Sequence, residues 1–200
     1  MSDGISTPTP LSRPDRHALI PAFPVLETRR LGLVELTLDD AEWYLAHFSR
    51  PEIVTGTGFP APDSLDDARD ELQRYVTGLF DRRDGIRWGL APRDAPGTIA
   101  GTAGIYRWRD EPEPAAEVGY DLAPEWWGRG LMAEALEAIA DYVFGHLGLA
   151  YLEATVLVGN DRSCRTLERA GFLNAGILPL HGEDEHGELR DEHRYVRRRR

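Results

Sequence analysis

Between a segment that reads as a β-strand and one that reads as an amphipathic helix runs Glu125-Trp126-Trp127-Gly128-Arg129-Gly130-Leu131-Met132. Two glycines one residue apart allow a sharp backbone turn, because no Cβ obstructs it. The helix that follows has the cleanest period in the chain. Met132, Leu136, Ile139, Ala140, Val143, Phe144 and Leu147 fall on one face, and Gly148 supplies a stop. A helix beginning in this way leaves N–H groups without partners, which suits a phosphate or pyrophosphate. The unit therefore dictates a helix laid on a sheet and points to a phosphorylated ligand.

The flanking pattern sets the rest of the architecture. Met1 to Pro24 is rich in proline and poor in periodic apolar positions, and reads as a mobile arm or one that packs late. Residues 25–200 read as a single domain. Leu26 to Leu36 suits a first strand. Thr37-Leu38-Asp39-Asp40 reads as a helix start, with the helix running through Phe48. Pro51 to Pro62 reads as a loop, and Ser64 and Asp67 open a helix to about Phe80. Strands are expected over Arg87–Ala91, Thr98–Arg107, Ala116–Leu122 and Tyr151–Val158. A short helix from Ser163 to Ala170 precedes a closing hairpin, Phe172–Leu180 with Arg190–Tyr195. Meanders mixed with one strand–helix–strand crossover predict an α+β fold on a mixed, mostly antiparallel sheet flanked by about four helices.

Composition removes several functions. A net charge of −11 argues against general nucleic-acid binding, while remaining compatible with cationic substrates. All 23 basic residues are arginine. Without lysine there is no Walker-type phosphate loop and no Schiff-base chemistry. A lone cysteine, Cys164, makes neither an internal disulfide nor a thiolate metal cluster. The histidines show no metal spacing, so no catalytic metal is expected. No apolar run is long enough for a membrane span and no secretory leader is evident, so the expected location is cytoplasmic.

The glycine turn gains meaning from its neighbours. Glu117-Val118-Gly119-Tyr120-Asp121-Leu122 precedes it, Asn160-Asp161-Arg162-Ser163 follows the next strand, and Thr28-Arg29-Arg30-Leu31 lies near the start. Gly187, Asp191 and Tyr195 recur near the end. Together these residues resemble the GNAT superfamily of acyl-CoA-dependent N-acetyltransferases, in particular the RimJ/RimL branch, over about Leu26 to Tyr195. The resemblance implies a GNAT-like sheet with a central parallel splay. It also implies acetyl-CoA as co-substrate, with its pyrophosphate held by Trp127, Gly128, Arg129, Gly130, Leu131 and Met132. The pantetheine arm would run along the strand ending at Leu122 and meet Asn160 and Ser163. The acceptor would be a primary amine, either a protein N-terminal α-amine or a small molecule, acetylated directly in a ternary complex by a monomer or homodimer.

The chemistry then assigns roles. A free alkylamine is mostly protonated at neutral pH, so something must accept a proton, and Glu117 is the candidate base, with an ordered water as the alternative. The departing thiolate benefits from a donor. Many family members carry a tyrosine at the position of Leu167; the RimJ/RimL branch offers a serine, here Ser163. Glu125 stands where the family often has Gln or Arg, so main-chain anion binding requires its carboxylate to point away. A CoA-sensing or interaction module with the same fold but no turnover is the other reading.

Overall fold

A computed structural model describes residues 16–110, 112–184 and 186–200. In chain order the elements are α1 (Arg16–Leu19), β1 (Leu26–Glu27), β2 (Leu31–Val34), α2 (Ala41–Phe48), α3 (Pro51–Thr57), α4 (Leu65–Leu72) and α5 (Gly78–Asp81). They continue with β3 (Ile86–Pro92), β4 (Gly101–Arg109), β5 (Ala115–Leu122), α6 (Leu131–Gly145), β6 (Tyr151–Leu157), α7 (Asp161–Arg169), β7 (Leu173–Glu183) and β8 (Leu189–Arg198). A π-helical turn, Gln73–Thr77, joins α4 to α5, so the two run as one helical passage.

The strands form one sheet in the order β1-β2-β3-β4-β5-β6-β8-β7. Every pairing is antiparallel except β5 with β6. That parallel ladder runs only from Ala115↔Tyr151 to Glu117↔Glu153. Beyond it the two strands part, and the sheet opens into a V.

Strand alternation divides β5 between two faces. Ala116 and Val118 join the main core beneath α6, where Leu136, Ile139, Ala140 and Val143 are buried against Leu152, Ala154 and Val156 of β6. The period-3.6 face read from the sequence is thus the buried face of α6. Glu117 and Asp121 point the other way. A second, smaller core holds Leu36, Tyr44, Phe48, Leu72 and Val76 between α2 and α4.

Two segments differ from the sequence expectation: the one strand expected over Leu26 to Leu36 is folded into the antiparallel pair β1 and β2, and the loop expected over Pro51 to Pro62 holds α3. Pro51–Thr57 is a helix, not a loop. Its residues are poor helix formers, but Pro51 sits at the start, Ile53 is buried, and Gly58 closes the helix at φ 74°. Packing of one isoleucine between a good start and a good stop outweighs propensity. Within the proline-rich arm, residues 16–24 lie against the domain. Arg16 donates to the carbonyls of Arg83 and Trp108 and pairs with Asp110 at 2.8 Å. Ile20 is buried, and Trp88 Nε1 donates to the Pro24 carbonyl at 2.5 Å. The remainder of the arm, residues 1–15, lies outside the described residues.

Candidate functional site

The V between β5 and β6 opens into a cleft of about 1190 Å³. Tyr120 and Leu122 of β5 form one wall, and the turn from Gly128 to Met132 closes its end. Asn160 and Ser163, at the start of α7, form the opposite wall. Ile53 and Gly56 of α3 cover it, and Asp184 and His186 of the β7–β8 loop border its far side. The volume suits a ligand of nucleotide size.

The turn leaves main-chain N–H groups open toward the cleft, a geometry suited to an anion. Gly128 and Gly130 adopt φ 73° and 72°, left-handed values that an L side chain rarely takes. Among the described residues, the main-chain N–H groups of Gly128, Gly130, Leu131 and Met132 donate to nothing. Side chains pin the turn from behind. Trp127 Nε1 donates to the Leu122 carbonyl at 2.5 Å, joining the turn to the end of β5. Arg30 reaches the Arg129 carbonyl at 2.7 Å and pairs through Nε with Glu134 at 2.6 Å. Thr28 Oγ1 also donates to Glu134, at 2.6 Å. The Thr28–Leu31 segment thus braces the first turn of α6, a role invisible from its own sequence position. Glu125 is turned away, paired with Arg50 at 2.7 Å, as main-chain anion binding requires.

The other residues that the sequence singles out do not all meet in the cleft. Asn160 and Ser163 meet in the cleft. Asn160 caps α7 by accepting from the Ser163 N–H at 3.2 Å, and its amide donates to the Gly56 carbonyl at 3.3 Å. Ser163 Oγ lies 2.6 Å from the Tyr120 hydroxyl, a partner that sequence spacing did not disclose. Arg129 leaves the cleft: its guanidinium donates to the Glu125 carbonyl and covers the Trp126 ring. The arginine on the cleft side is Arg162, 3.4 Å over the Trp127 ring, with Arg165 and Arg169 on the same wall. Glu117 sits at the vertex of the V, half-buried, paired with Arg107 at 3.0 Å, and it is not among the residues lining the cleft. Leu167 is fully buried in the core.

A cluster at the cleft joins Asp121 to partners that its own segment does not disclose. Asp121 lies on the β5 face opposite Tyr120 and is buried. It accepts from His47 Nε2 at 2.7 Å, from an Arg87 guanidinium nitrogen at 2.7 Å, from the Thr102 main chain at 3.0 Å and from Thr102 Oγ1 at 2.5 Å. Burial alone would raise its carboxyl. The His47 hydrogen bond and the Arg87 charge more than offset that and bring it down to about 2. His47 belongs to α2, so this carboxylate ties the helical layer to the sheet at the cleft.

A mixed sheet parted at its one parallel pair, with open main-chain N–H groups at the mouth of the opening, is the arrangement that the comparisons identify. Comparison with known proteins places it. The acetyltransferase (GNAT) domain model matches residues 30–173, and the chain belongs to that family. It is 36% identical over 156 residues to the uncharacterized N-acetyltransferase YoaA of Bacillus subtilis (strain 168), covering 78% of this chain and 86% of that protein. The uncharacterized N-acetyltransferase p20 of Bacillus licheniformis is 31% identical over 153 residues, covering 76% and 84%. Among solved structures, Mycobacterium smegmatis RimJ in complex with CoA-disulfide superimposes with a TM-score of 0.76 at 18% identity, covering 88% of this chain and 87% of that one. The fold neighbours thus include the RimJ type.

Proposed function

We propose that this chain transfers the acetyl group of acetyl-CoA directly to a primary amine bound in the same cleft. The observation that carries the reading is the N–H cradle from Gly128 to Met132 at the mouth of the sheet opening. Its geometry suits a pyrophosphate. Arg162, Arg165 and Arg169 supply positive charge on the adjoining wall of an otherwise acidic protein. Past Glu117 no ladder joins β5 to β6, so the main chain on that edge is open to the amides of a pantetheine arm lying as an extra strand. The RimJ neighbour, solved in complex with CoA-disulfide, supports CoA as the ligand.

The acceptor enters between α3 and the β7–β8 loop, where the Glu52 carboxylate attracts an ammonium group and Asp184 is paired with Arg190. A protein N-terminus and a small amine both meet that description. Glu117, at the vertex, accepts the amine proton through water, because its carboxylate does not border the cleft. Glu117→Gln is expected to lower kcat by about 100-fold with the affinity for acetyl-CoA unchanged. A rate within twofold of the wild type would show that water accepts the proton without this carboxylate.

The experiment is a thiol-release assay against a panel of peptides with free N-termini and small amines, paired with calorimetric titration of acetyl-CoA. Binding together with turnover on at least one amine supports the proposal. Binding with no turnover on any acceptor marks a CoA-sensing module instead. No binding at millimolar acetyl-CoA removes both.

A further inference from the structure

The leaving sulfur needs a hydrogen-bond donor, and Leu167, sealed in the core, offers none. Ser163 lines the cleft, but a serine hydroxyl rotates freely and has one hydrogen to give. Its direction is set by whatever neighbour occupies the oxygen. That neighbour is Tyr120, on the facing wall, with its hydroxyl 2.6 Å from Ser163 Oγ.

We propose that Tyr120 is a positioning residue: by donating to Ser163 Oγ it leaves the serine hydrogen free to point at the thioester sulfur. The inference rests on the acetyl-transfer reading above. A phenol is a stronger hydrogen-bond donor than an alkyl hydroxyl, so in this pair tyrosine gives and serine receives. Burial pushes the Tyr120 phenol up from its ordinary value, so it stays protonated at neutral pH and keeps that role. The Tyr120 hydroxyl also lies 3.2 Å from the Ser163 carbonyl, a longer and weaker alternative. The Asn160 side chain fixes the other end of the serine by accepting from its N–H at 3.2 Å. With main chain and oxygen both held, the hydrogen is the one free element, and the open direction is the cleft.

In the transfer step the amine nitrogen bonds to the acetyl carbon and the carbon–sulfur bond breaks, its electron pair passing to sulfur. The nitrogen's proton leaves through water. The Ser163 hydrogen stays on its oxygen and hydrogen-bonds the thiolate, so tyrosine and serine both end the step unchanged.

The test is a double-mutant cycle on kcat with Tyr120→Phe and Ser163→Ala. Each single variant is expected to lose about tenfold in kcat, with KM for acetyl-CoA within about twofold. Because Tyr120 acts through Ser163, the double variant is expected to be no slower than Ser163→Ala alone. Ser163→Thr, which keeps a hydroxyl, restores most of the rate. With the acetyl selenoester of CoA, a better leaving group, the Tyr120→Phe loss shrinks. Losses that multiply in the double variant, or a Tyr120→Phe loss equal with both donors, overturn the role. Should Tyr120→Phe not fold, fluorotyrosine at position 120 tests the same hydroxyl: a more acidic phenol holds or raises kcat, and a fall overturns the proposal. A wild type that turns over no amine removes the acetyl-transfer reading first, whereas an active wild type with an unaffected Tyr120→Phe removes only Tyr120.

Discussion

Asp121→Ala is expected to cost about 3–5 kcal/mol of stability, because it leaves Arg87 and His47 facing an empty, buried site. For a domain of this size that lowers the melting temperature by about 6–20 °C. The pH dependence follows from the depressed carboxyl. Its folded value, about 2, lies below the ordinary carboxylate value. The unfolded chain therefore takes up the proton first as pH falls. The stabilisation is complete above the ordinary value and is lost as pH drops through it toward about 2. Wild type is expected to show an acid branch in that window, and Asp121→Ala a shallower one. Thermal unfolding followed by circular dichroism between pH 2 and 7 measures both. Coincident curves for the two proteins would remove Asp121 as the tie between α2 and the sheet.

Gly130→Val is expected to abolish useful affinity for acetyl-CoA while leaving the domain folded. The residue sits at φ 72°, where a β-branched side chain is strained. Around the position an added Cβ meets only the far end of Arg30, at 3.7 Å, so the penalty is conformational rather than a clash. Relaxing that strain rotates the N–H groups of Gly130 and Leu131 away from a common focus. The expected result is a Kd raised at least tenfold, about 1.4 kcal/mol or more. Stability should fall by only about 1–2 kcal/mol. Calorimetry on the folded variant decides this. Unchanged affinity would place the pyrophosphate somewhere other than the glycine turn.

Some of the site was readable one residue at a time. The strand–Gly–helix unit is local: left-handed glycines, the apolar face of α6 and the Asn160 cap all lie within a few residues of what they determine. The turn away of Glu125 followed from the need for main-chain donors, and its partner Arg50 supplies the means. Other parts were hidden by weak local signals. Pro51–Thr57 looked like a loop because glycine, proline and threonine disfavour helix, yet burial of Ile53 holds it in place. Arg129 stands between the two glycines of the turn, yet its side chain covers the Trp126 ring, and Arg162 takes the cleft side from a distant helix.

What the chain order alone determined is the glycine turn, the periodic helix behind it, the mixed-sheet class and the family. The turn and the helix rest on spacing of a few residues, which backbone geometry converts directly into direction, and the class and family rest on the order in which such local units follow one another. What the tertiary structure alone decided is which side chains face one another across the opened sheet. His47 meets Asp121 across 74 positions and Tyr120 meets Ser163 across 43. Such pairs are created when separate layers pack. No local period encodes them, because the distance between the partners is set by the core that lies between the elements carrying them.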